Sequence, residues 1–157
     1  MGTNVLGPFL FTKCLMPILR KTASTAPLGS VRVTWAGSVA VDVWSPKPGG
    51  VIFDQDGSPI CYPSNATNYG VTKAANLLLA SEFARNHPFH DNKIITNAWN
   101  PGNLKSDLQR HASKVRLMAT SWMLFPSVNG AYTELFAGWS EDAGRVENHG
   151  KYIWPWG

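Results

Sequence analysis

The sequence predicts an α/β protein on a doubly wound parallel sheet, and three observations lead there. Runs rich in β-branched residues alternate with stretches of helical apolar spacing. The intervening helices are long enough to serve as crossovers, which implies parallel pairing in a right-handed sense. The residues of greatest chemical interest (Ser38, Tyr69 and Pro101-Gly102) fall at or beyond the ends of those strands, where such sheets bind ligands. The chain has 157 residues, 44% of them hydrophobic and 15% charged, which suits one domain with a buried core.

Residues 3–21 read as the first helix, with Leu6, Phe9, Leu10, Lys13, Cys14 and Pro17 at helical spacing. Pro8 is tolerated in its first turn, whereas Pro17 is expected to kink or end it. Cys14 lies in the apolar pattern and is expected in the core. TASTAPLGS is a loop, and VRVTWAGS is a β-branched strand closed by Gly37. Residues 45–68 contain Pro46, Pro48, Gly49, Gly50, Gly57, Pro59 and Pro63, a long loop with a short strand near VIF. Loops of that length are usually functional or disordered.

Tyr69–Arg85 follows as a strong amphipathic helix, capped by Asn68 or Thr67. KIITNAWNPG is a second strand, stopped by Pro101-Gly102. A mostly helical stretch over about 115–139, broken near Pro126, precedes KYIWPW as a third strand.

Composition removes several classes of function. The net charge of +4 comes from scattered Lys and Arg, without the clustered basic face of a nucleic-acid binder. Cys14 and Cys61 share no metal or redox spacing, so no metal site is expected; a reducing compartment fits, with a single disulfide between the two as the open alternative. The start of the chain lacks a basic n-region, and LMATSWMLFPSV is too short and polar to span a bilayer. A cytoplasmic protein is expected, with membrane contact at most peripheral.

The chemistry begins at YGVTKAAN. Tyr69 and Lys73 are four apart on a helix and project together. A free phenol, with a pKa of about 10, is a poor base at neutral pH. An ammonium about 4 Å away, at an effective dielectric of about 20, favours the phenolate by about 4 kcal/mol. That is a ceiling of about three pKa units, since desolvation opposes it. Part of that shift makes a general acid–base for a carbonyl or an alcohol. Such a spacing also arises as an ordinary helix-surface contact.

Taken in order, these segments resemble the short-chain dehydrogenase/reductase family, from Thr3 to about Trp154. The similarity is to the branch of retinol dehydrogenase-like and fungal carbonyl reductases. TNVLGPFLFTKCLMPIL is similar to the family's central helix, VRVTWAGSVA to the strand before the catalytic serine, and YGVTKAANLLLASEFAR to the Tyr-x-x-x-Lys helix. NAWNPGNLKSDLQRH resembles the Pro-Gly segment, with Asn100 in place of the frequent His, and GAYTELFAG then GKYIW resemble the final helix and strand.

The resemblance implies roles for named residues. Tyr69 exchanges the proton, Lys73 lowers its pKa and bonds the nicotinamide ribose, and Ser38 polarises the substrate oxygen. Asn4 anchors a water linking Lys73 to solvent. Pro101 and Gly102 shape the loop over the nicotinamide, and Leu104 and Ser106 meet its carboxamide. Read without the family, Asn4 is a helix N-cap, Ser38 a turn residue, Ser106 a cap of the next helix and Pro101-Gly102 a strand stop. The cofactor implied is NAD or NADP, and it carries the hydride chemistry.

The resemblance is to the C-terminal half of a Rossmann-type domain only. The Thr-Gly-x-x-x-Gly-x-Gly turn of the dinucleotide-binding βαβ unit has no counterpart, and Gly49, Gly50 and Gly57 follow no suitable strand. Residues 1–157 are thus expected to form one partial domain whose VRVTWAG strand is an unpaired edge. The leading expectation is an oxidoreductase acting on an apolar carbonyl or alcohol, the SWMLFPSV lid favouring such substrates. The alternatives are a truncated, inactive paralogue acting as an interaction protein, or a fragment of a longer enzyme. A homodimer or a complex with a full-length relative is the partner expected.

Overall fold

The computed structural model describes residues 1–106 and 121–155. Three parallel strands form one sheet in the order β1, β2, β3. Strand β1 (Arg32–Ala36) runs in register with β2 (Ile95–Trp99), from Arg32 opposite Ile95 to Ala36 opposite Trp99. The short β3 (Tyr152–Ile153) pairs on the other side of β2. Every residue of β2 is buried, whereas β1 lies at the edge and buries only Trp35 fully.

A π-helical turn, Gly2–Leu6, runs into α1 (Gly7–Ala23). After β1 come α2 (Ala40–Val43), α3 (Asn65–Asn86) and α4 (Phe89–Asn92), and α5 (Ser127–Trp139) links β2 to β3. The arrangement is the α/β parallel sheet that the alternating pattern implies. Met16 and Ala23 of α1, Trp35 of β1, Ala80 and Phe83 of α3 and Ala98 of β2 make one core, with Val31 and Ile94 beside them. Each large side chain there stabilises by about 2 kcal/mol. The Trp35 indole N–H donates to Thr96 Oγ1 at 2.9 Å, so its polar atom is satisfied inside the core.

Several expectations give way to the structure. Cys14 is exposed, not a core residue: α1 buries Thr12, Met16 and Ala23, and two residues along a helix is more than half a turn from Met16. Pro17 does not end the helix, which continues to Ala23. Pro17 and Lys13 both face solvent, so water can satisfy the Lys13 carbonyl that Pro17 cannot bond. The cap of α3 is Ser64, whose Oγ accepts from Thr67 N–H at 3.2 Å, so the helix starts four residues before Tyr69. Near VIF there is only an isolated antiparallel bridge between Phe53 and Pro59.

Nor is α3 simply amphipathic, since it buries residues at consecutive positions: Gly70, Val71 and Thr72, then Ala74, Ala75 and Asn76. It is packed on two sides. A side chain at Gly70 would lie 2.8 Å from Ser45 N and 2.9 Å from Trp44 C, so α2 approaches the backbone of α3 directly. The helical stretch expected before Pro126 lies outside the described residues up to 120; a single 3-10 turn covers Ser121–Met123.

Candidate active site

The end of β1 is pinned to its neighbours. Gly37 N–H donates to the Trp99 carbonyl at 2.7 Å, and a Cβ on Gly37 would stand 2.9 Å from that oxygen and from the Tyr152 ring. Glycine alone lets the three strand ends converge here. Ser38 follows. Its Oγ accepts from Ala40 N–H at 3.1 Å, and its carbonyl accepts from the Tyr152 hydroxyl at 3.1 Å. Burial pushes the Tyr152 pKa up to about 12, with the Asp42 charge adding to it and the bond to Ser38 opposing it. Tyr152 therefore keeps its proton and stays a donor.

The first turns of α3 bring the other groups to the same strand end. Lys73 Nζ lies 5.8 Å from the centroid of the Tyr69 ring, within cation–π range. It donates to the Ala36 carbonyl at 3.0 Å, and Asn76 Nδ2 donates to that oxygen at 3.2 Å. Burial disfavours the ammonium and holds the Lys73 pKa below the usual lysine value. Asn4 Nδ2 donates to Thr72 Oγ1 at 3.2 Å, and Thr72 Oγ1 donates to the Tyr69 carbonyl at 2.8 Å. Asn4 is thus no N-cap, the cap position being Met1, but a tie between the π-helical turn and α3.

The segment after β2 carries the remaining candidates. Asn100 is wholly buried, and its Oδ1 accepts from Gly102 N–H at 2.9 Å. Gly102 has φ +86°, a value that favours glycine, and lets the chain turn over the strand end. Pro101 and Leu104 pack on α5, where a Cβ at Gly130 would meet Leu104 Cδ1 at 2.3 Å. Leu104 bridges Phe125 in parallel, with Phe125 N–H donating to Asn103 O at 2.8 Å. Ser106 is exposed at the end of this segment, and the helix it was read as capping lies outside the described residues.

Two cavities flank the site. One of about 420 Å³ lies between α1 and β1, and Asn4, Phe11, Ala36, Lys73 and Asn76 are among its lining residues. The other, about 500 Å³, lies beyond the strand ends, and Val39, Trp44, Asn100, Phe125 and Trp154 are among its lining residues, with Trp122. Among the described residues, four buried side-chain atoms have no partner: Asn76 Oδ1, both amide atoms of Asn97, and Asn100 Nδ2.

Asn4, Tyr69 and Lys73 are brought together beside Ala36, and Ser38 stands two residues beyond it. Sequence reasoning missed Asn76, Tyr152, Trp44 and Trp154. The first was within reach, because Tyr69, Lys73 and Asn76 form one stripe at helical spacing. Tyr152 and the two indoles come from distant segments and carry no local signal.

No protein-family model matches the chain. Its whole length aligns with a short-chain dehydrogenase/reductase of Phomopsis amygdali at 38% identity, covering 47% of that protein. The short-chain dehydrogenase/reductase sthC of Phaeosphaeria nodorum is 41% identical over 89% of the chain and 44% of its own length. The chain therefore spans about half the length of the curated relatives it matches. Among solved structures, the fold is similar to a Pseudomonas aeruginosa RhlG/NADP active-site complex, with a TM-score of 0.66 at 23% identity over 96% of this chain and 54% of that one. It is also similar to the angucycline C-6 ketoreductase LanV with bound NADP, with a TM-score of 0.58 at 23% identity over 96% and 49%. Among the described residues no helix is long and apolar enough to cross a membrane. By sequence and by fold, the chain belongs to the short-chain dehydrogenase/reductase family, as a counterpart of that family's C-terminal half.

Proposed function

We propose that this chain is the catalytic part of a cytoplasmic, NAD(P)-dependent oxidoreductase that interconverts a carbonyl and an alcohol on an apolar small molecule. We take residues 1–157 as one partial domain. The observation that carries the proposal is the Tyr69–Lys73–Asn76 stripe at the end of β1, with the lysine 5.8 Å from the phenol ring centroid.

The residues present suit the nicotinamide–ribose half of the cofactor. Lys73 spends one of its three N–H donors on Ala36, and the other two match ribose hydroxyls. Asn76 Oδ1 beside it is a buried acceptor without a partner. For the pyrophosphate the fit fails among the described residues: Gly49 and Gly57 have positive φ and open space around them, but neither follows a strand. A bound nicotinamide cofactor supplies or accepts the hydride.

The chain's own groups handle the proton. Tyr69 exchanges it with the substrate oxygen, and the positive charge of Lys73 stabilises the phenolate that results. Ser38 Oγ already accepts from Ala40 N–H, which leaves its own O–H to donate to the substrate oxygen. Asn4 acts through Thr72 on the turn that carries Tyr69. Pro101, Gly102, Leu104 and Ser106 border the nicotinamide side.

A second reading, an interaction protein, draws on the edge position of β1 and on the π-helical turn with α1, where Leu6, Leu10, Phe11 and Ile18 are all more than half exposed. A second copy or a full-length relative would cover that face.

The test is a fluorescence titration of the native polypeptide with NADPH and NADH, followed by assay of Tyr69→Phe. Micromolar cofactor binding, with turnover lost and affinity kept in the variant, is expected. Turnover retained by Tyr69→Phe would overturn the catalytic assignment.

A further inference from the structure

The cavity beyond the strand ends is lined by three of the chain's seven tryptophans, brought from three separate segments. Trp44 stands at the end of α2, Trp122 follows β2 at a distance, and Trp154 follows β3. Trp44 is 40% exposed and Trp154 52% exposed, so both leave much of a large apolar ring in water. Trp35 and Trp99, by contrast, are buried in the sheet. Rings of this size normally cover 150–250 Å² of surface on burial, so exposed indoles around one hollow call for an occupant.

We propose that this cavity binds an uncharged, planar aromatic carbonyl compound of two or three fused rings, seated against Trp44 and Trp154. The proposal rests on the oxidoreductase reading of the site and narrows its apolar substrate to a fused-ring aromatic one. Size allows it, since about 500 Å³ is within the range of small-molecule sites.

Charge narrows it further. Among the described residues, none of the twelve that line the cavity is ionisable, so none of them offers a countercharge to a carboxylate or phosphate that loses its hydration there. The buried part of the lining offers a neutral donor instead: Asn100 has committed Oδ1 to Gly102 N–H, and its Nδ2 has no partner.

Both indoles are tied to the catalytic groups. Trp154 stands edge-on to Tyr152, with ring centroids 5.8 Å apart, and Tyr152 bonds the Ser38 carbonyl. The backbone of Trp44 touches the turn of α3 next to Tyr69, where a Cβ on Gly70 would lie 2.9 Å from Trp44 C. A flat ring system held by Trp44 and Trp154 would lie against Val39, the neighbour of Ser38, and against residues one contact away from the turn that carries Tyr69. A saturated ring of the same outline presents axial hydrogens to the indoles and loses the stacking contribution.

Calorimetric titration of the intact chain tests this with three probes: 9-fluorenone, its perhydro counterpart and 9-oxofluorene-4-carboxylate. Fluorenone should bind, and each of the other two should bind roughly tenfold more weakly. Trp44→Leu and Trp154→Leu should each weaken fluorenone roughly two- to tenfold, and leave the saturated ketone within about twofold of wild type. Circular dichroism of both variants checks that the fold is kept.

Fluorenone binding without any turnover by the wild-type chain would support the aromatic site and count against the oxidoreductase reading. Failure to bind fluorenone, equal affinity for the saturated ketone, or unchanged affinity in both folded leucine variants overturns the proposal, whatever the turnover.

Discussion

Strands β1 and β2 share five register pairs yet sit in different surroundings. All five β2 residues are buried, and Ile95, Thr96, Asn97 and Ala98 are wholly inaccessible. In β1 only Trp35 is buried, Arg32, Val33 and Thr34 are half-buried, and Ala36 is exposed. Lys73 and Asn76 both donate to that exposed Ala36, and the same edge faces the cavity that contains Asn4. The closed middle of the sheet supplies stability, while the residues proposed for the chemistry gather at its open edge. A half-buried ammonium is costly to hold, and Lys73 holds one at that edge, while unpaired amide atoms lie both there, at Asn76 Oδ1, and in the closed strand, at Asn97.

The sharpest way to break this comparison is to truncate one apolar side chain in each of the two strands. Ile95→Ala should lose about 3 kcal/mol of stability in urea unfolding, because it opens a cavity in a site with no access to water. Val33→Ala, on the half-buried edge, should lose about 1 kcal/mol or less. Equal losses would mean that the β1 edge is covered in solution by another polypeptide. Gly70→Ala comes next. Its new methyl would meet backbone atoms of Ala40, Trp44 and Ser45 at 2.8–3.0 Å, so α2 must move, at about 2 kcal/mol. A thermal melt, with cofactor titration alongside, reads both the loss and its spread to the site.

How legible all this is from sequence depends on how local the cause is. The strand VRVTWAG and the helix after YPSNATN follow from side-chain periodicity, and both are found, although the helix starts at Asn65 because Ser64 caps it. Tyr69 and Lys73 are neighbours by helical arithmetic, and the structure keeps them so. Cys14 is exposed where a core position is expected, because apolar spacing does not say which face of α1 meets the sheet, and Pro17 sits inside α1 without ending it. Tyr152 is a donor to Ser38 across 114 residues, a contact that only the closed sheet creates. The tryptophans around the second cavity are illegible for the same reason.

Two further substitutions act on the site with smaller effects. Tyr152→Phe should cost about 1 kcal/mol at neutral pH, from the lost bond to the Ser38 carbonyl. It should also remove a pH dependence. The folded pKa is raised to about 12, above about 10 in the unfolded chain, so the unfolded state loses its proton first. Wild-type stability contributed by this phenol is complete below about pH 10 and falls as pH rises towards about 12. The phenylalanine variant should lack that fall in alkaline denaturation curves.

Lys73→Met should change stability least and in the opposite direction with pH. The folded pKa is lowered by burial, so below it the folded chain carries the cost of a half-buried ammonium. Between the lowered value and the ordinary lysine value of about 10.4, the unfolded chain binds more protons, and stability rises with pH. Methionine removes both the cost and the rise. The lost bond to Ala36 leaves no orphaned oxygen, because Asn76 Nδ2 still donates to it at 3.2 Å. At pH 7 the variant should lie within about 0.5 kcal/mol of wild type, or above it, with a flat profile where the wild type climbs. A loss of more than about 2 kcal/mol at pH 7 would make Lys73 a structural residue and weaken its assignment to the proton chemistry of Tyr69.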